Sequence, residues 1–225
     1  MKTAVTRAIE DYLKAIYDLT VSQDRATTNQ IAEALEIKPA SVTGMVKKLS
    51  MNEPALVDYQ KHRGVALTLE GERVALETIR HHRLLETFLH ETLGFDWDTV
   101  HDEADRLEHV ISEELEERIA QTLGDPTHDP HGDPIPTRDL EMPSQATTRL
   151  CDLRVGQQAI IQRVPDTNPE LLRYLGQHGI IPGACIEVVA YSAFDDNISI
   201  RVQNCTEVSV LGIRITRQLF AKVIP

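Results

Sequence analysis

Sulfur and aromatic rings are scarce in this chain. Its three cysteines (Cys151, Cys185 and Cys205) all come late among 225 residues and none has CxxC spacing, which excludes a disulfide framework and a zinc ribbon. No apolar run reaches the ~18 residues of a membrane-spanning helix, so no membrane partner is expected. The opening MKTAVTRAIEDYLKAIYDL carries charges where a signal peptide would be apolar, which implies a cytoplasmic protein. There is no P-loop, no GxGxxG and no Ser/His/Asp order, so nothing announces an enzyme. Basic residues are short as well: 23 Lys+Arg against 35 Asp+Glu give a net charge of −12. That balance ordinarily argues against nucleic acid, but the acid is not evenly spread. Residues 1–75 hold 10 basic and 10 acidic side chains, residues 76–145 hold 5 and 18, and residues 146–225 hold 8 and 7. The first third therefore presents a basic face if its lysines cluster.

The acidic middle third contains the most informative stretch. His101, Asp105, Glu108 and His109 fall at i, i+4, i+7 and i+8, one stripe of a helix expected over 97–122. His82 and Glu86 repeat the i, i+4 spacing on a preceding helix, expected over 72–95. Two imidazoles and two carboxylates facing another His–Glu pair supply nitrogen and oxygen donors for a divalent cation. The competing readings are an acidic solvated face with incidental histidines, and a di-metal hydrolase or oxidoreductase using the same cluster. The latter needs substrate-orienting groups, and none stand out.

Upstream, residues 5–21 have helical spacing, with Asp11 on the polar side. TTNQIAEAL starts with a threonine cap, and after a short EIK turn Pro39 opens a second helix through Val42, Met45, Val46 and Leu49. Two short helices with Ala32 at their packing point make a helix-turn-helix. Residues 55–69 then read as two strands joined at Lys61-His62-Arg63-Gly64, a hairpin with a basic tip. Together these form a winged helix for double-stranded DNA. Lys47, Lys48, Lys61 and Arg63 are the expected phosphate contacts, and Ser41 and Thr43 reach bases or phosphates. Thr27, Lys38 and Pro39, at the helix starts, complete the DNA-facing set. The apolar residues from Leu76 to Leu93 exceed what one stripe needs, which points to a homodimer. Residues 124–147, rich in Pro, Gly and Asp, read as a linker whose His128 and His131 are either metal ligands or, on the simpler reading, solvated. Five short strands after residue 150 suggest a small all-β SH3-like barrel. Asp166 and Glu170, near the start of its helix, are either metal donors or acids favoured by the helix dipole. The expected fold is thus a mainly α winged helix (1–74), a helical metal-binding and dimerisation domain (75–123), a linker (124–147) and a β domain (148–225).

IEDYLKAIYDL, IAEALEIKPASVTGMVKKL, HHRLLETFL, VHDEADRLEHVIS and PHGDPIP together resemble the diphtheria toxin repressor family of metal-dependent transcriptional regulators. The C-terminal piece resembles the ferrous-transport-type SH3-like domain of its longer members. The resemblance implies a homodimer that binds a palindromic operator when loaded with metal and controls metal-homeostasis genes. It also implies a primary site of Asp11, Asp105, Glu108 and His109. Its ancillary site comprises His82, Glu86 and His101, with Asp166 or Glu170, and His82 can belong to either site. Carboxylates at 11 and 105 replace the Met and Cys of iron-responsive members. That favours Mn²⁺ over the alternative, Fe²⁺. Lys14 stands where short manganese regulators carry a second carboxylate, and Gly44 replaces a polar residue of the recognition helix.

Overall fold

A computed structural model describes residues 5–224. The chain divides into two compact units. The first is Met1–His82 with Glu108–Ile111 and Pro136–Met142; the second is Arg83–Leu107, Ser112–Ile135 and Pro143–Pro225.

The first unit is built on three helices and a hairpin: α1 (Arg7–Thr20), α2 (Thr28–Ala34), α3 (Pro39–Ser50), β1 (Val57–Gln60) and β2 (Gly64–Leu67). Ile9, Leu13 and Ile16 of α1, Ile31 of α2, and Val42, Val46 and Leu49 of α3 share one core with Val57 and Val65 of the hairpin. A reciprocal capping box starts α2: Gln30 N–H donates to Thr27 Oγ1, and Thr27 N–H donates to Gln30 Oε1. Pro39 at the first turn starts α3, as its fixed φ favours. The wing is antiparallel, Val57 opposite Leu67. Ala26 pairs with Val65 through two 2.8 Å backbone hydrogen bonds, an isolated bridge on the open edge of β2. Gly64 turns the wing at φ +100, where a Cβ would meet the Ala26 carbonyl oxygen at 2.6 Å; only glycine fits. Thr68 accepts from Gly71 N–H and so caps α4 (Leu69–Glu91). The division between the units falls within α4, between His82 and Arg83.

One long helix over 97–122 was expected, and the structure corrects this. Two helices, α5 (Val100–Leu107) and α6 (Glu113–Thr122), flank a turn at 108–112. Ser112 accepts from Leu115 N–H and restarts the helix. A side chain that caps a new helix competes with continuation of the old one.

In the second unit, β3 (Gln158–Arg163), β4 (Cys185–Ser192), β5 (Asn197–Val202), β6 (Val208–Leu211) and β7 (Phe220–Ile224) form an antiparallel sheet of order β6-β5-β4-β3-β7. β6 and β7 are its two edges, so this SH3-like sheet is open rather than closed on itself. Helices α7 (Pro169–Gln177) and α8 (Ile213–Thr216) accompany it, and Leu172 and Leu175 of α7 join Ile161, Ile198 and Ile200 in the core.

The solvated linker needs correction too. Residues 124–147 hold no helix or strand, yet Asp129, His131, Asp133 and Ile135 are buried. Asp129 Oδ1 accepts from the N–H groups of His131 (2.8 Å) and Asp133 (3.0 Å), winding the loop around itself. Arg83 donates to the Pro134 carbonyl at 2.6 Å, and Arg163 reaches Asp133 at 3.0 Å. Gly132, at φ +90, lies so close to β3 that a Cβ would meet the Gln162 oxygen at 1.9 Å. Its backbone, not its composition, decides that this segment is packed.

Candidate metal centres

The first centre lies within the first unit. Helix α1 presents Glu10, Asp11 and Lys14 at i, i+1 and i+4, and the turn after α5 returns Glu108 and His109. Asp11 Oδ1 lies 2.9 Å and Glu108 Oε1 3.3 Å from His109 Nε2. The other ring nitrogen, Nδ1, is 2.5 Å from Glu10 Oε2. A neutral ring that donates Nδ1–H to Glu10 presents its Nε2 lone pair to those two carboxylate oxygens. Three acceptors aimed at one point, with ligand atoms within 4.8 Å of one another, repel unless a cation joins them. On its far side Glu108 meets His82 Nδ1 at 2.5 Å and Lys14 Nζ at 2.9 Å, both at Oε2. Burial works against its charge, but His82 and Lys14 outweigh it and hold the Glu108 carboxyl below its ordinary range.

The second centre lies within the second unit, where Glu86, Asp129 and His131, all buried, offer ligand atoms within 4.8 Å of one another. His131 Nε2 is 2.7 Å from the Trp97 carbonyl, so its N–H donates there and Nδ1 turns toward Glu86 Oε2, 3.8 Å away. Trp97 stacks on the ring, and Gly176 of α7 leaves room for the indole. Neither His131 Nδ1 nor Asp129 Oδ2 has a hydrogen-bond partner among the described residues. Buried polar atoms without partners are costly, and a divalent cation answers both at once. The protons respond to that crowding. Burial disfavours the His131 charge, yet Glu86 and Asp129 raise its pKa to about 9. Burial, with Glu86 and Asp133 beside it, pushes the Asp129 carboxyl well up. Glu86 Oε1 also accepts from His101 Nδ1 at 3.0 Å, and Asp166 Oδ2 stands 3.9 Å from that nitrogen.

Residues 4–65 match the family described as "Iron dependent repressor, N-terminal DNA binding domain". Residues 68–137 match "Iron dependent repressor, metal binding and dimerisation domain", and residues 148–223 the FeoA domain. The iron-dependent repressor IdeR of Mycobacterium leprae is 32% identical over 192 residues, 80% of this chain and 82% of that protein. The chain belongs to the iron-dependent repressor family. The HTH-type transcriptional regulator MntR of Oceanobacillus iheyensis is 39% identical over 118 residues, 52% of this chain and 78% of its own. Among solved structures, a manganese-dependent transcriptional repressor in complex with manganese superposes with a TM-score of 0.87 at 37% identity, covering 96% of this chain and all of the other. As a member of this family the protein is a metal-responsive transcriptional repressor, and the di-metal enzyme alternative falls.

Within this repressor the expected ligands sort unevenly. Asp11, Glu108 and His109 converge, with His82 on the outer oxygen of Glu108. Glu86, His101 and Asp166 meet in the second unit. Asp105 lies half-buried on α5 in that same unit. Glu170 is exposed in the first turn of α7 and joins no donor group among the described residues. Sequence reasoning missed Glu10 and Asp129, and it preferred a solvated His131 that the structure buries. Of the DNA-facing set, Lys38, Pro39, Ser41, Lys47, Lys48, Lys61 and Arg63 are exposed. Thr27 is committed to its capping box, and Thr43 Oγ1 donates to the Pro39 carbonyl at 3.1 Å. A side chain at Gly44 would meet nothing within 4 Å, so this face of α3 is open there.

Proposed function

We propose that Asp11, Glu108 and His109 hold a divalent cation, Mn²⁺ in the cytoplasm, and that loading lets a homodimer grip a palindromic operator of metal-homeostasis genes. One observation carries this reading: His109 Nε2 lies against Asp11 Oδ1 and Glu108 Oε1 while Glu10 engages the opposite nitrogen. When bound, the cation supplies the positive charge that these oxygens lack. Asp11 belongs to α1, whose buried face shares a core with α3. Fixing Asp11 against the 108–109 turn therefore fixes the helix whose outer face carries Ser41, Lys47 and Lys48. Without that link Glu10, Asp11 and Glu108 repel, and α1 and the turn drift apart. A ligand shifts such an equilibrium only through its preference for the competent state, and operator binding must tighten metal binding by the same factor.

The donors favour Mn²⁺ over Fe²⁺. Both clusters are made of carboxylate oxygen and imidazole nitrogen, and none of Cys151, Cys185 and Cys205 joins a donor group among the described residues. Hard donors suit Mn²⁺ better than softer ions. Glu86, Asp129 and His131 are a second cation site, with His101 and Asp166 around it, and the span 1–74 is the reading head. Operator selection in parallel with Mn²⁺, Fe²⁺, Zn²⁺ and a chelator tests the whole reading. Retention of one palindromic sequence with Mn²⁺ and its loss with chelator is expected. Retention that ignores the chelator contradicts it, and a preference for Fe²⁺ overturns the metal assignment.

A further inference from the structure

The ammonium of Lys14 is a cation already installed in the first centre. Its Nζ lies 2.9 Å from Glu108 Oε2 and 3.2 Å from Oε1. The Nδ1 of His82 reaches that same Oε2 at 2.5 Å, which brings Nζ and Nδ1 within 3.2 Å of each other. Glu108 is therefore divided. Its Oε1 faces His109 Nε2 and Asp11, whereas Oε2 is saturated by two nitrogen donors. With the Glu108 side chain only 1% exposed, neither Oε2 nor His82 Nδ1 can turn to another partner without abandoning a buried charge.

Charge acts in the same direction: a second divalent ion at Oε2 would stand against the Lys14 ammonium, like charge beside like charge in a buried place. We propose that Lys14 sets the stoichiometry of this centre at one divalent cation, by occupying with its own ammonium the place beside Oε2 that a second ion would need. This rests on the reading of Asp11, Glu108 and His109 as ligands, and it adds a residue that determines how many ions they take.

The test counts Mn²⁺ on the full chain carrying Glu86→Gln, His101→Gln, Asp129→Asn and His131→Gln, which together silence the second centre and the His101 donors around it. Equilibrium dialysis and electron paramagnetic resonance are read together. With Lys14 present, one Mn²⁺ per protomer with an isolated six-line signal is expected. Lys14→Arg keeps that count. Lys14→Glu raises it to two and collapses the six-line signal through exchange coupling. Lys14→Gln, which removes only the charge and spares the fold if the added carboxylate does not, raises the count above one at millimolar Mn²⁺. Two ions with Lys14 in place, or a single ion in both folded Lys14→Glu and Lys14→Gln, overturns the proposal. No Mn²⁺ at all with Lys14 present, and no change on Asp11→Ala, removes the metal centre itself and this inference with it.

Discussion

Replacing Glu10 with glutamine removes one negative charge without emptying its place. Glu10 touches His109 at the nitrogen opposite the ligand face, so it is not itself aimed at the cation. Its work is to hold the tautomer and to make the ring a better donor. A hydrogen bond to a charged group contributes about 1.5–3 kcal/mol. The Glu10 side chain is 23% exposed, so water screens part of that, leaving about 1–2 kcal/mol. At roughly 1.4 kcal/mol per decade this is a 5- to 30-fold weaker Mn²⁺ Kd, in line with typical losses of outer-shell partners. Calorimetric Mn²⁺ titration in the Glu86→Gln, His101→Gln, Asp129→Asn, His131→Gln background reads it directly. Glu10→Gln should fold normally, keep a stoichiometry of one and lose affinity. Unchanged affinity in Glu10→Gln, alongside abolished binding in Asp11→Ala, would refute the tautomer argument.

Gly132→Ala places a methyl group 1.9 Å from the Gln162 oxygen and forces alanine to φ +90. A loss of about 3 kcal/mol or more in urea unfolding is expected, and a change below 1 kcal/mol would deny the tight docking of the loop on β3. His131 binds its proton more tightly folded than unfolded, its pKa rising from 6.5 to about 9. In chelator the resulting stability, about 3 kcal/mol, is therefore complete below pH 6.5 and lost as pH climbs to 9. His131→Gln should flatten that decline, and an equal slope in both proteins would count against it. Lys47→Ala and Lys48→Ala should each lower the salt dependence of operator binding by about one phosphate contact. A slope that stays constant in both would remove these lysines from the interface.

The reading head was legible because local rules write it. The Thr27 cap, Pro39, the 3.6-residue apolar spacing and the glycine at the wing tip each act within a few residues. The convergence of the donor stripe was half legible. Glu108 and His109 were found through a helix that in fact ends at Leu107, and they still meet Asp11 because the turn returns them to α1. Asp129 stayed hidden and His131 was read as solvated first, because proline, glycine and aspartate also compose solvated spacers. What buries them is distant in sequence: Arg83, Trp97 and the bare Cα of Gly132 against β3. The alternation Asp129, His131, Asp133 was the one available signal. The apolar surplus of α4 misled in part, since Leu76, Ile79, Leu84, Leu85 and Leu89 are covered within the chain while Leu93 stays exposed. Dimerisation therefore leans on the matched dimerisation domain more than on that surplus.

The clamp between α1 and the 108–109 turn is tested most directly by Asp11→Ala, assayed by fluorescence anisotropy on the selected operator with and without Mn²⁺. The expected result is a folded protein whose operator affinity no longer rises with Mn²⁺ and equals that of the chelated wild type. A variant that still tightens on DNA by the wild-type factor would contradict the account.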